Sequence, residues 1–419
     1  MSSNLSKYLF AFFALFVLFS DEMFYSVVSL MSISLETGMK AKFALGEAII
    51  AYALLMWDFL IKKYTHRNYL QFLALVVIMG LYYITGFFYS PWKDLYWSSF
   101  LVYGALCVPA TYVGIVLARE NYEKEVTKLL PFFVTIISLV VIRSVITSNM
   151  EGIILRSSEK EAFNYQTASY FLSFCYSYCF LYVFFYKKNK KSFWGKMTTA
   201  LMLLLLFVCA VGCLLGGGRG AFVYIVAITA YLIYRVMKRG GKNNTWYVLL
   251  IIGGAVLMIY LSDRLNIIES AGFMRMRERM TFEGDNRIGA WLKALDVFVD
   301  SPIIGHGLGS IWWTVGFYSH NIFTDLLAEI GLIGTIIIVT VLIKCLSSLI
   351  KWSRLDSFDL FMLIIFLGAL IHDSFSGYWI SSYKFFLIFG YVYAKRGQIY
   401  SRVIKKRQIV ELKSSVIKQ

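Results

Sequence analysis

Residues 166–191 read QTASYFLSFCYSYCFLYVFFYKKNKK: twenty-one residues without a charge, closed by four lysines in five positions. One helical crossing of a bilayer needs about 20 apolar residues, and positive charge collects on the cytoplasmic side of such crossings. The same unit recurs along the chain. Apolar runs of crossing length lie near 8–30, 42–61, 69–88, 97–117, 129–148, 166–186, 198–215, 221–236, 246–262, 321–343, 358–372 and 376–394. Each even-numbered run is followed by basic residues: Lys62, Lys63 and Arg67; Arg119, Lys124 and Lys128; Lys187 to Lys191; Lys238, Arg239 and Lys242; Lys344, Lys351 and Arg354; and, after the last, Lys395, Arg396, Lys405, Lys406 and Arg407. This alternation predicts an all-α, polytopic integral membrane protein of about twelve transmembrane helices, with both termini in the cytoplasm.

Composition agrees. Of 419 residues, 59% are hydrophobic and 16% charged, against roughly 25% charged in a soluble globular chain. A water-soluble interior cannot grow to hide so much apolar surface. The net charge of +16 falls in short clusters between apolar runs, so it reads as membrane sidedness and not as a nucleic-acid-binding face. Cys107, Cys175, Cys179, Cys209, Cys213 and Cys345 lie within or beside apolar runs, as small core hydrophobes rather than a disulfide framework. The first run follows Lys7 without a small-residue cleavage site and reads as a retained helix, although it contains Asp21 and Glu22. The eighth and eleventh runs are short enough to be tilted or partly re-entrant.

One connection is long. Residues 263–319, about 57 of them, fall outside the cytoplasm by parity. Loops beyond about 15 residues are usually functional or disordered, and this one has readable structure. Within 287–300 (RIGAWLKALDVFVD), Ile288, Trp291, Leu292, Leu295, Phe298 and Val299 share one helical stripe. Asp285 or Asn286 can cap its start, and Ser301–Pro302 ends it. Gly305, Gly307 and Gly309 then allow close turns. The expected division is a transmembrane bundle of about nine helices over 1–262, an extracytoplasmic loop domain with an amphipathic helix over 263–319, transmembrane helices over 320–394, and a basic cytoplasmic tail over 395–419. Neither a repeat nor similarity between halves is visible, which weighs against an inverted-repeat transporter.

Positive residues on the outer side call for a reason. Arg219 stands in the turn Gly216–Gly217–Gly218–Arg219–Gly220 between the seventh and eighth runs; Arg264, Arg275, Arg277, Arg279 and Arg287 stand in the long loop. The glycine stretch lacks the Lys-Ser/Thr ending of a nucleotide-binding loop. It offers a backbone that can approach a ligand beside a guanidinium that grips phosphate oxygens bidentately; a flexible turn with a snorkelling arginine is the plainer reading. Arg143, near the outer end of the fifth run, needs a partner, and Asp21 and Glu22 are candidates at similar depth. His320, at the start of the tenth run, has an unperturbed pKa suited to general-base work, or serves as a polar anchor at the interface. His372–Asp373, at the end of the eleventh, can orient a catalytic group or mark the boundary. Neither a metal site nor a cofactor is indicated.

In this order and spacing the pieces resemble the O-antigen ligase and polymerase superfamily, over about 120 residues from Gly216 to Gly334. The resemblance rests on Gly218–Arg219–Gly220–Ala221, on Arg287 with Trp291 four residues on, on the turn Pro302, Gly305 and Gly307, on His320–Asn321, and on Glu329–Ile330–Gly331. The family often has Ser where this chain has Gly218, which removes a hydroxyl. The resemblance implies a GT-C-like fold in the bacterial cytoplasmic membrane and glycosyl transfer, outside that membrane, from a polyprenyl-pyrophosphate-linked sugar. Arg219 and Arg287 would hold the pyrophosphate, and His320 would take the acceptor proton. Gly218, Gly220, Trp291, Asn321, Arg143, His372 and Asp373 would support them. The partners implied are lipid-linked oligosaccharide donor and acceptor and membrane lipid, with a chain-length regulator and a flippase as candidate partner proteins. A repeat-unit polymerase is the first reading and a ligase of finished polysaccharide the second. A transporter or flippase of lipid-linked sugars is the third.

Overall fold

The computed structural model describes residues 3–31, 39–62, 106–150, 165–186, 192–238, 286–311, 318–379 and 382–417, with residues 253, 260, 269–270 and 274. The expected third crossing, all of the ninth but two residues, the fourth up to residue 105, and most of 263–285 with Arg264, Arg275, Arg277 and Arg279, lie outside the described residues. Twelve α-helices are described: α1 Ser3–Leu18, α2 Ser20–Met31, α3 Met39–Lys62, α4 Val108–Arg119, α5 Glu123–Met150, α6 Tyr165–Phe185, α7 Phe193–Gly216, α8 Arg219–Lys238, α9 Asn286–Asp300, α10 Ile322–Trp352, α11 Ser357–Phe375 and α12 Tyr383–Ile417. Six of them (α5, α6, α7, α8, α10 and α11) are long and apolar enough to cross a bilayer, and seven spans result if α1 and α2 form one. The chain is therefore a multi-pass membrane protein. The twelve helices are not the twelve expected crossings, because α1 and α2 share one apolar run and α9 comes from the long loop.

The first expected crossing is two helices. The chain bends by 84° between α1 and α2. Ser20, Asp21 and Glu22 follow immediately, and a straight span would carry these polar groups through hydrocarbon, where unsatisfied groups are costly. The bend brings them to partners instead: Ser20 Oγ donates to Glu47 Oε2 on α3 at 2.5 Å, and Lys384 Nζ on α12 meets Glu22 Oε1 at 2.5 Å.

Close packing elsewhere uses glycine. A Cβ on Gly114 of α4 would strike the backbone of Leu387 and Tyr391 on α12, and one on Gly390 would strike Thr111 of α4. The two helices thus meet backbone to backbone, the arrangement small residues permit in membranes. The helix α6 sits at the centre, packed by α5, α7, α8 and α11. All six cysteines are buried free thiols, in the apolar role their placement suggested.

The amphipathic helix of the long loop forms as α9 with the expected limits, but it buries a different face. Ala290, Ala294 and Val297 are the buried positions, while Leu292, Leu295 and Val299 are exposed. The small side chains let α9 lie close on α10, where Ala294 and Val297 pack with Ile311 and Ala328. Large side chains on that face would hold the helices apart. The turn after α9 is fastened to α10 by backbone bonds: His306 N–H to Ala328 O, 2.9 Å; Gly307 N–H to Glu329 O, 2.8 Å; Leu332 N–H to Pro302 O, 2.8 Å. It can be, because α10 is broken at Gly331, whose φ of 63° suits glycine and frees these groups from the helix ladder. Finally, α12 continues through Lys395 to Ile417 without interruption, so no change of element marks 394/395.

Candidate active site

The turn between α7 and α8 places Arg219. Gly217 closes α7 in the left-handed conformation (φ 73°), as C-terminal caps commonly do. Gly218 N–H then donates to Ser169 Oγ of α6 at 3.0 Å. A hydroxyl therefore stands at this turn although Gly218 itself has none, because α6 supplies it. Gly220 lies against the Tyr170 hydroxyl and Phe375, with no room for a Cβ. Arg219 is the first residue of α8 and is half-buried. A cation there adds to the positive end of the helix dipole, which disfavours stability and favours a bound anion. Arg287 also lies in a first turn, as the second residue of α9, and its charge reaches Tyr170.

His320 precedes α10. Its φ is +62°, a conformation uncommon for a residue other than glycine but more accessible to His than to bulky residues. The neighbours hold it there. Asn321 caps α10, accepting from Phe323 N–H at 2.9 Å. Asp325 Oδ1 accepts from Ser319 N–H at 2.9 Å, and the Ser319 and Thr324 hydroxyls are 2.7 Å apart. Asn321 is accordingly a helix cap. The His320 ring stands edge-on to Tyr318, centroids 4.4 Å apart, and its Nδ1 is 3.3 Å from Ser376 O. A carbonyl can only accept, so in the neutral ring that contact puts the proton on Nδ1.

The end of α11 completes the group. His372 Nδ1 is 2.8 Å from Asp373 Oδ1, and its ring stands edge-on to Tyr170 at 4.6 Å. Asp373 is buried and His372 half-exposed. Tyr318 O–H donates to Ser376 O at 3.1 Å. Tyr170 thus touches the Arg219 turn and His372, while Ser376 holds His320, so the two arginines and two histidines share one end of the bundle.

Two residues expected in supporting roles lack polar partners among the described residues. Arg143 is exposed on α5 and forms no ion pair among the described residues; Glu22, one expected partner, is taken by Lys384 and by Tyr383 O–H at 3.3 Å. Trp291, one turn beyond Arg287, is half-buried, and its Nε1 has no hydrogen-bond partner among the described residues. Sequence reading missed Ser169, Tyr170 and Ser376, which lie in aromatic or turn sequence without a marking pattern. It also missed Lys384, whose charge inside an apolar run was a signal.

Fold and site define a multi-pass helical membrane protein with arginines at two helix starts and two imidazoles held by their neighbours. Residues 203–339 match the family model described as O-antigen ligase, Wzy_C, so this stretch is a Wzy_C domain. Arg219, Arg287 and His320 lie inside it, whereas Tyr170, His372 and Asp373 lie outside. Among curated proteins, none matches the chain.

Proposed function

We propose that the protein is a surface-polysaccharide repeat-unit polymerase of the bacterial cytoplasmic membrane. It transfers glycan from a polyprenyl-pyrophosphate-linked donor to a lipid-linked acceptor, in a GT-C-like frame of about twelve crossings with the site on the outer side. The observation that supports this reading is that the Arg219 turn packs on Tyr170 and Tyr170 on His372, while Ser376, four residues further on, holds His320.

The chemistry follows from the groups. Nε2 of His320 accepts the proton of the acceptor hydroxyl as its oxygen bonds to the anomeric carbon. The bond from that carbon to the phosphate oxygen breaks, and the lipid pyrophosphate departs with the electron pair. Its growing negative charge meets guanidinium groups already in position at two helix N-termini, which is where preorganised electrostatics contributes most. A flippase would deliver the lipid-linked units, and a chain-length regulator would act on the product.

The matched family's description favours a second reading, a ligase that moves finished polysaccharide to another acceptor. Deleting the gene in its host and examining the surface glycan by gel separates them. Single repeat units on the normal acceptor, with a ladder restored only by the intact gene, support the polymerase. Long lipid-linked chains that fail to reach their acceptor support the ligase. Lipid-linked units retained on the cytoplasmic side refute both and favour transport.

A further inference from the structure

A cavity of about 120 Å³ lies beside the site, between α2, α6, α11 and α12, and shares Tyr170 and His372 with it. We propose that this cavity is a carbohydrate subsite that receives one edge of a sugar ring of the acceptor glycan. The assignment rests on the glycosyl-transfer reading above and extends it to a second substrate. A cavity of roughly 150 Å³ holds a benzene molecule, so this smaller space admits one edge of a sugar ring with its hydroxyls, the rest of the ring lying outside it. Its walls combine ring faces from Tyr25, Phe171 and Phe174 with polar groups from Asp21, His372 and Asp373. Rings pack on the C–H face of a sugar, and carboxylates accept from its hydroxyls.

The same walls disfavour the other parts of the substrates. Two carboxylates repel a pyrophosphate, and the lining lysine, Lys384, is already paired with Glu22. A polyprenyl tail would bury those carboxylates against hydrocarbon, at high cost. A second observation points to a hydrogen-bonding ligand. The Asp373 side chain is 3% exposed, and its Oδ2 has no hydrogen-bond partner among the described residues. Buried polar atoms are rarely left so, and a sugar hydroxyl is a donor of the right kind. His372, held by Asp373 through Nδ1, lines the same cavity. Because Gly220 packs on Tyr170, a sugar here lies next to the Arg219 turn.

The test uses the full-length protein in lipid nanodiscs and two probes. One is the host's repeat-unit oligosaccharide released from its lipid, followed by saturation-transfer NMR. The other is undecaprenyl pyrophosphate, followed by native mass spectrometry. Ala369→Leu fills the cavity without removing a polar group, and it should weaken oligosaccharide binding at least tenfold while lipid pyrophosphate still binds. Arg219→Ala should do the reverse. Asp373→Asn, which preserves shape, should weaken the oligosaccharide severalfold and serves if Ala369→Leu does not insert. Oligosaccharide binding equal to wild type in Ala369→Leu or in Asp373→Asn, or absent from wild type, overturns the subsite. Lipid pyrophosphate binding indifferent to Arg219→Ala instead overturns the phosphate clamp and leaves the subsite result to stand by itself.

Discussion

Tyr378 donates its phenolic O–H to Glu329 Oε1 at 2.6 Å and so ties the segment after α11 to α10. Glu329 is fully buried. It also accepts from Trp379 Nε1 at 3.1 Å and from Gly309 N–H at 2.9 Å. One carboxylate therefore joins the turn after α9, the break in α10 and the Ser376–Trp379 segment that holds His320. Glu329→Ala leaves two buried donors and one part-buried donor without this acceptor, a buried one worth about 1–3 kcal/mol, and should lower thermal stability strongly in detergent. Tyr378→Phe removes one bond and should cost about 1 kcal/mol. Equal melting temperatures for Glu329→Ala and wild type would show that the carboxylate does not join these segments.

The arginines are expected to act on charge and geometry, not on folding. Both are half-buried at helix starts, where removing a cation relieves an unfavourable dipole interaction. Arg219→Ala and Arg287→Ala should each insert at normal levels and each lower chain extension by about 10²–10³. Lysine at either position restores the charge but not the bidentate fork, so activity should recover only in part. Full activity in both alanine variants, measured as surface glycan per inserted protein, would remove the phosphate clamp.

His320 and His306 separate chemistry from location. His306 is exposed in the turn after α9, and its contribution there is a backbone bond to Ala328 O. His306→Ala should keep near-normal activity. At His320, asparagine tolerates the left-handed backbone but cannot act as a base near neutrality. His320→Asn should therefore fold normally and lose activity by about 10²–10⁴. If the two variants lose activity equally, the assignment of His320 as base fails.

Much of this arrangement was legible before the fold was known. The lysines after Tyr186 announce a membrane crossing, and α9 ends at Asp300, before Ser301–Pro302, as read. The three residues at the heart of the reading, Arg219, Arg287 and His320, were visible because a charge or imidazole on the side that charge parity reads as outer needs a reason. What surrounds them was not. Along a spanning helix both the lipid face and the packed face are apolar, so periodicity cannot say that Tyr170 on α6 faces His372 on α11. It also misjudged α9, where the alanines and not the leucines make the close face. The break after Leu18 was signalled by Asp21 and Glu22, but its direction depends on Lys384, far along the chain.

That last pair gives a sharp test of the bent segment. Lys384 Nζ lies 2.5 Å from Glu22 Oε1 and 4.2 Å from the centre of the Phe174 ring. Glu22 is buried, with its side chain 1% exposed. Removing one member of such a pair strands a charge and costs about 3–5 kcal/mol, whereas replacing both with apolar groups of similar volume is often near neutral. Lys384→Met should thus destabilise the protein markedly, and Lys384→Met with Glu22→Leu should recover most of the loss. Detergent melting curves for both single variants and the double measure this coupling. Additive losses would mean that α2 is held by its apolar contacts, and that Glu22 and Lys384 are not what fixes the bend.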